Sequence, residues 1–130
     1  MKNWVFGWFV LPVAVVMLSV PVSAHHGASA YDMTKFTTLK ATVTDFQFIN
    51  PHVQLAIEVK DDNGNIEKWT AEANSPNVLS KNGWTKDTVK PGDQITLIGN
   101  RTKKGTKVLL LQKVVLSDGQ ELDSDPYHDY

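Results

Sequence analysis

The chain contains no cysteine among its 130 residues. That excludes disulfides, thiol catalysis and thiolate metal ligation, so any bound metal has only nitrogen and oxygen donors. It also lacks a run of charge of either sign, with 13 Lys plus Arg against 14 Asp plus Glu. A nucleic-acid footprint would need a basic stripe, and none is present. There is no phosphate-cradling loop, no paired-carboxylate signature and no nucleophile with a base at a recognisable spacing. These absences point to a binding protein rather than an enzyme. No internal repeat or low-complexity segment divides the chain.

What is present begins with one apolar run. Met1-Lys2-Asn3 is followed by Trp4 to Val20 and then by Pro21-Val22-Ser23-Ala24, the charged, apolar and small-residue order of a secretory signal. A run of about 17 residues could also span a bilayer, but Pro21 and the small residues after it supply a helix break and a cleavage site after Ala24. No cysteine follows, so a lipid anchor is excluded. A second small-residue pattern, Ala28-Ser29-Ala30, would make the cleavage region unusually long. Cleavage after Ala24 leaves 106 residues, removes only Lys2 from the charged set, and gives a formal charge of −2. That is one domain, in the periplasm or secreted, with no membrane anchor after processing.

Residues 25–35 read as an extended arm whose order depends on contacts made elsewhere. The folded body, residues 36–122, starts with Leu39, Ala41 and Val43 alternating with polar residues, after which the apolar parity switches to Phe46 and Phe48. This predicts a long strand with a bulge near Asp45. Val53, Leu55, Ile57 and Val59 form a second alternating strand, and Asp61-Asp62-Asn63-Gly64-Asn65 is hairpin chemistry. Pairing Asp61 with Asn65 sets Glu58 opposite Lys68, Ile57 opposite Trp69, Leu55 opposite Ala71, Gln54 opposite Glu72 and His52 opposite Asn74. Ser75-Pro76 to Gly83 predicts a short helix capped by Ser75, with a further turn over Trp84 to Val89. Strands follow through Ile95, Leu97 and Gly99 and over Val108 to Leu116, separated by the Lys-rich loop Arg101 to Lys107. Residues 123–130 read as a flexible acidic tail. Three strands, a short helix and two strands predict a mainly β, five-stranded, OB-like Greek-key barrel, with a simple antiparallel sandwich as the competing arrangement.

The candidate chemistry starts at the new N-terminus. Cleavage after Ala24 puts a free α-amine on the same residue as the His25 imidazole, and the two can chelate one ion. A third nitrogen from His26 or His52 completes a set that suits Cu(II) first, with Ni(II) and Zn(II) behind it. His52 follows Asn50-Pro51 on the face opposite Val53, near Glu72, which offers a carboxylate to a shared ion or ligand. Tyr31 and Asp32 could join as an oxygen ligand or as orienting groups. His128 lies in the tail, apart from this set. Trp69 and Trp84 read most simply as packing residues, the alternative being an aromatic platform.

The order His25-His26-Gly27, Tyr31-Asp32, Asn50-Pro51-His52, Trp69 with Glu72, Ser75-Pro76, Gly83-Trp84, Lys90-Pro91-Gly92-Asp93 and Asp118-Gly119 resembles a family of short exported bacterial proteins known as a domain of unknown function. The resemblance covers the mature chain, and it implies no activity. The family commonly has Trp before Asn-Pro-His, where this chain has Phe48-Ile49.

The leading expectation is therefore an exported, non-catalytic barrel that binds a transition metal, copper favoured. A second is a module that binds a small ligand or protein partner through Trp69, Trp84, His52 and Glu72. A third makes the metal site redox-active or hydrolytic, with Glu72 as base.

Overall fold

The computed structural model describes residues 27–124. The signal segment, His25, His26 and residues 125–130 lie outside the described residues, and so does the cleavage site. Among the described residues no helix is long and apolar enough to cross a membrane.

The elements are β1 (Thr37–Gln47), β2 (Gln54–Lys60), β3 (Ile66–Glu72), α1 (Pro76–Lys81), β4 (Gln94–Arg101), β5 (Val108–Val115) and β6 (Glu121–Asp123). One sheet runs β3-β2-β1-β4-β5-β6 and closes where β3 meets β5. That closing contact is parallel, from Thr70 opposite Val108 to Glu72 opposite Leu110. A three-strand meander, a helix and a return hairpin that closes on the third strand make a small OB-like Greek-key barrel. The predicted fold class is borne out, with β6 as an added strand.

Local chemistry explains the elements. In β1 the register slips between Val43 and Asp45, opposite Ile57 and Ala56, which leaves Thr44 as an extra residue. This is the bulge that the parity switch predicted. The β2–β3 hairpin has the predicted register, including Glu58 opposite Lys68, Ile57 opposite Trp69 and Gln54 opposite Glu72. Its turn is closed by Asp61, whose carboxylate accepts from the Asn63 and Asn65 backbone and from the Asn65 side chain. Those bonds hold the Asp61 carboxyl below its usual range, the Asn65 side chain contributing most. α1 starts at Pro76, with the Ser75 hydroxyl accepting from Val78 N–H.

Leu55, Ile57, Leu97, Leu109, Leu111 and Val114 fill the barrel and are almost fully buried. Gly99 is needed where β4 crosses β5, because a Cβ there would collide with the Leu110 carbonyl oxygen and lie 2.9 Å from Leu109 Cγ.

Three segments differ from the sequence reading. The ordered body runs past residue 122, where the sequence reading started a flexible tail: β6 pairs Leu122 with Val114 and Asp123 with Lys113, and Ser124 is fully buried. The arm, in its described part, is a single turn of 3-10 helix, Ala28–Ala30, followed by an isolated bridge from Tyr31 to Thr102. Trp84 to Val89 forms turns and bends rather than a further helical turn.

Candidate functional site

At the seam where β3 meets β5, Glu72 receives the N-terminal arm. The arm is held there at several points. Lys103 N–H donates to the Ala30 carbonyl and Asp32 N–H to the Arg101 carbonyl, at 2.9 and 2.8 Å. Tyr31 is 5% exposed, and its hydroxyl donates to Glu72 Oε2 at 2.8 Å. Sequence reasoning grouped Tyr31 and Glu72 without foreseeing this bond, which joins residues 41 positions apart.

His52 is exposed, just ahead of β2 and after a cis Asn50–Pro51 bond. The strand pairing continues past Gln54 and Glu72 to this corner, where Val53 N–H donates to the Asn74 carbonyl at 3.1 Å. His52 and Glu72 therefore sit at the same end of one hairpin, and the arm crosses to that end through Tyr31.

Asp32 does something different. Its carboxylate accepts from the Thr34 hydroxyl and amide, at 2.6 and 3.1 Å, and those bonds pull its carboxyl below the usual range, the hydroxyl contributing most. It builds the turn that leads into β1 and does not join Glu72.

The tryptophans are not brought together. Trp84 is 1% exposed, donates its Nε1–H to the Asp123 carbonyl at 2.9 Å and lies against Phe46 with ring centroids 6.3 Å apart. Trp69 is 6% exposed and is covered by the Arg101 guanidinium, 4.8 Å from the ring centroid. Its Nε1–H donates to Glu67 Oε2, while Lys107 pairs with Glu67 Oε1 at 2.9 Å. These two donors lower the Glu67 carboxyl from its usual range, Lys107 most. Both rings are thus enclosed by the protein's own groups rather than presented as a platform. A shallow depression of about 260 Å³ borders Trp69 between β2 and β3. An open groove of about 710 Å³ at the other end of the barrel is lined by Lys60, Ile66, Gln94 and Leu116 and contains none of the candidate residues.

Sequence reasoning missed a line of buried polar residues along the seam. Asn74, Asn100 and Ser124 are 4%, 0% and 0% exposed. Asn100 Nδ2 donates to the Asp32 and Lys35 carbonyls and its Oδ1 accepts from Gln112 Nε2. Gln112 is the extra residue of a second bulge, since β4 advances one residue from Ile98 to Gly99 while β5 passes from Lys113 to Leu111. The Gln112 carbonyl accepts from Ser124 N–H, and Ser124 Oγ accepts from Asn74 N–H. Asn and Ser at strand positions carry no distinctive sequence signal, which is why this network was not readable.

Among the described residues His52 is the one histidine, and no group of three His, Cys, Asp or Glu lies close enough together to hold a metal ion. The other histidines of the sequence, His25, His26 and His128, lie outside the described residues.

The architecture is that of a small OB-like barrel with an N-terminal strap bonded across its closing seam. The chain belongs to DUF6152, a family of unknown function, which it matches over residues 13–110. The resemblance read from the motifs is borne out at that level. No curated protein matches the chain in sequence. Among solved structures it is similar to the mitochondrial single-stranded DNA-binding protein Rim1 of S. cerevisiae. The two share 8% identity with a TM-score of 0.49, over 64% of this chain and 93% of that one.

Proposed function

We propose that this protein is an exported β-barrel that binds a transition metal, copper before nickel or zinc, through the amine and imidazole of His25. His52 or His26 completes the site. The observation that carries this reading is the Tyr31 to Glu72 bond, 2.8 Å long. It fastens the arm to the end of β3, across the β2–β3 ladder from the start of β2, where His52 stands. Five residues lie between His25 and Tyr31; with three of them in the 3-10 turn Ala28–Ala30 the stretch spans up to about 15 Å, which allows the arm to return to that corner. Nitrogen donors, with Glu72 nearby as a carboxylate, suit a tetragonal Cu(II) ion.

The test is intact mass and Cu(II) titration of protein exported and processed in a bacterial periplasm, repeated on His25→Ala and His52→Ala. A chain beginning at His25 that takes up one tight equivalent, weakened in both variants, supports the reading. A chain beginning at Tyr31, or uptake indifferent to both substitutions, ends it.

A further inference from the structure

The groove of about 710 Å³ at the far end of the barrel is shared by five strands. A row of residues runs across them there. Lys60 pairs with Ile66, Lys40 with Thr96, and Thr96 with Val115. Ala41 faces Val59, and one residue further along both strands Lys40 stands opposite Lys60. The row therefore reads Ile66, Lys60, Lys40, Thr96, Val115 and, with adjacent strands about 4.8 Å apart, extends about 19 Å. Lys40, Lys60 and Thr96 alternate with the buried Ala41, Val59 and Ile95, which puts the row on the outer face of the sheet.

Nothing inside the barrel accounts for two features of this row. Like charges directly opposite one another oppose strand pairing, and Lys40 and Lys60 belong to none of the ion pairs among the described residues. Lysines that guard a sheet against aggregation stand on edge strands, whereas β1 and β2 are interior strands in the order β3-β2-β1-β4-β5-β6. The row is also apolar at both ends. Ile66 is 52% exposed, and Val115 lies beside Leu116 in the opposite wall. Glu58, the carboxylate that lines the groove, belongs to the next outward row, opposite Thr42 and Lys68.

We propose that this groove binds an amphipathic monoanion, a carboxylate carried on an alkyl chain. The head group sits between Lys40 and Lys60, where it offsets their repulsion and accepts charge-assisted hydrogen bonds from both ammonium groups. The chain runs over the Thr96 methyl to Val115 and Leu116, two strand spacings or about 10 Å from Lys40, and Ile66 flanks the head group on the other side. Charge complementarity selects the anion, and the apolar walls select the chain. A small inorganic anion would serve the lysines but leave the walls in water, and a neutral alcohol would cover the walls but leave the lysines opposed. The site is independent of the metal-binding reading, since His52 precedes β2 and Lys60 ends it.

Calorimetric titration of the mature chain with acetate, octanoate, decanoate and 1-octanol, with a chelator present, tests the proposal. Affinity is expected to rise from octanoate to decanoate by up to about fourfold per methylene, with acetate and 1-octanol each at least about tenfold weaker than octanoate. Lys40→Gln combined with Lys60→Gln should weaken decanoate binding by at least about tenfold, while Lys104→Gln, in the exposed β4–β5 loop, leaves it unchanged. The double variant removes a like-charge pair and so should keep its fold, read by circular dichroism. Decanoate should raise the melting temperature of wild type and not that of the double variant. Val115→Thr, close in shape, should flatten the gain per methylene. Decanoate affinity equal in wild type and the double variant, acetate as tight as decanoate, or 1-octanol as tight as octanoate overturns the proposal.

Discussion

Replacing Tyr31 with phenylalanine removes one oxygen from a residue that is otherwise buried and leaves its ring in place. The lost interaction is the 2.8 Å bond to the Glu72 carboxylate. A hydrogen bond to a charged group contributes about 1.5 to 3 kcal/mol, and a part-buried one belongs in the lower half of that range. The arm is held separately from the barrel core, by the Asp32 to Arg101 and Lys103 to Ala30 backbone bonds and by Asn100. Its opening is therefore a local event with its own free energy. The substitution should raise the open population by about 10- to 150-fold, with values nearer the lower figure expected. Amide hydrogen exchange reads this directly. The Asp32 and Lys103 amides should speed up by that factor, while the Leu55 and Ile57 amides in the barrel should change far less. Unaltered exchange at Asp32 and Lys103 would refute the role assigned to the hydroxyl. Equal acceleration at core and arm would show that the arm has no separate opening, and would refute the picture of a strap.

Other substitutions test the frame on which the site is built. Gly99→Ala drives a Cβ into the Leu110 backbone oxygen and should lower stability by about 3 kcal/mol or more, measured by urea denaturation. Trp84→Phe strips the donor from the Asp123 carbonyl and should cost about 1 to 3 kcal/mol in the same assay, with β6 loosening first. Acid should weaken the fold in a defined window: Asp32, Asp61 and Glu67 all have carboxyls held below their usual values, so the stability they contribute is present above about pH 4 and is lost as pH falls through their folded values. In Asp61→Asn that acid slope should be shallower than in wild type.

The parts of the fold written in the sequence are those set by near neighbours. Asp61 and Asn65 fix the hairpin register, and with it the pairing of Gln54 with Glu72; the parity switch after Val43 marks the β1 bulge; Ser75, Pro76 and Gly83 bracket the helix. The strand order followed from those pieces. What the sequence concealed depends on distant contacts. Nothing local distinguishes Ser124 from any polar residue in an acidic stretch, yet burial against Asn74 and Gln112 orders it. Trp84 reads as a packing residue, but the groups that enclose it, the Asp123 carbonyl and the Phe46 ring, are distant in sequence. Half of the candidate site was legible, because His52 and Glu72 share a hairpin. The strap was not, since only the closed barrel brings Tyr31 to Glu72.

The most direct test of the central claim is to compare Cu(II) affinity between a chain that begins at His25 with a free α-amine and the same chain with that amine acetylated. The account predicts that blocking the amine weakens binding by at least about tenfold, or about 1.4 kcal/mol, with the barrel unchanged. Equal affinity in the two chains would contradict it.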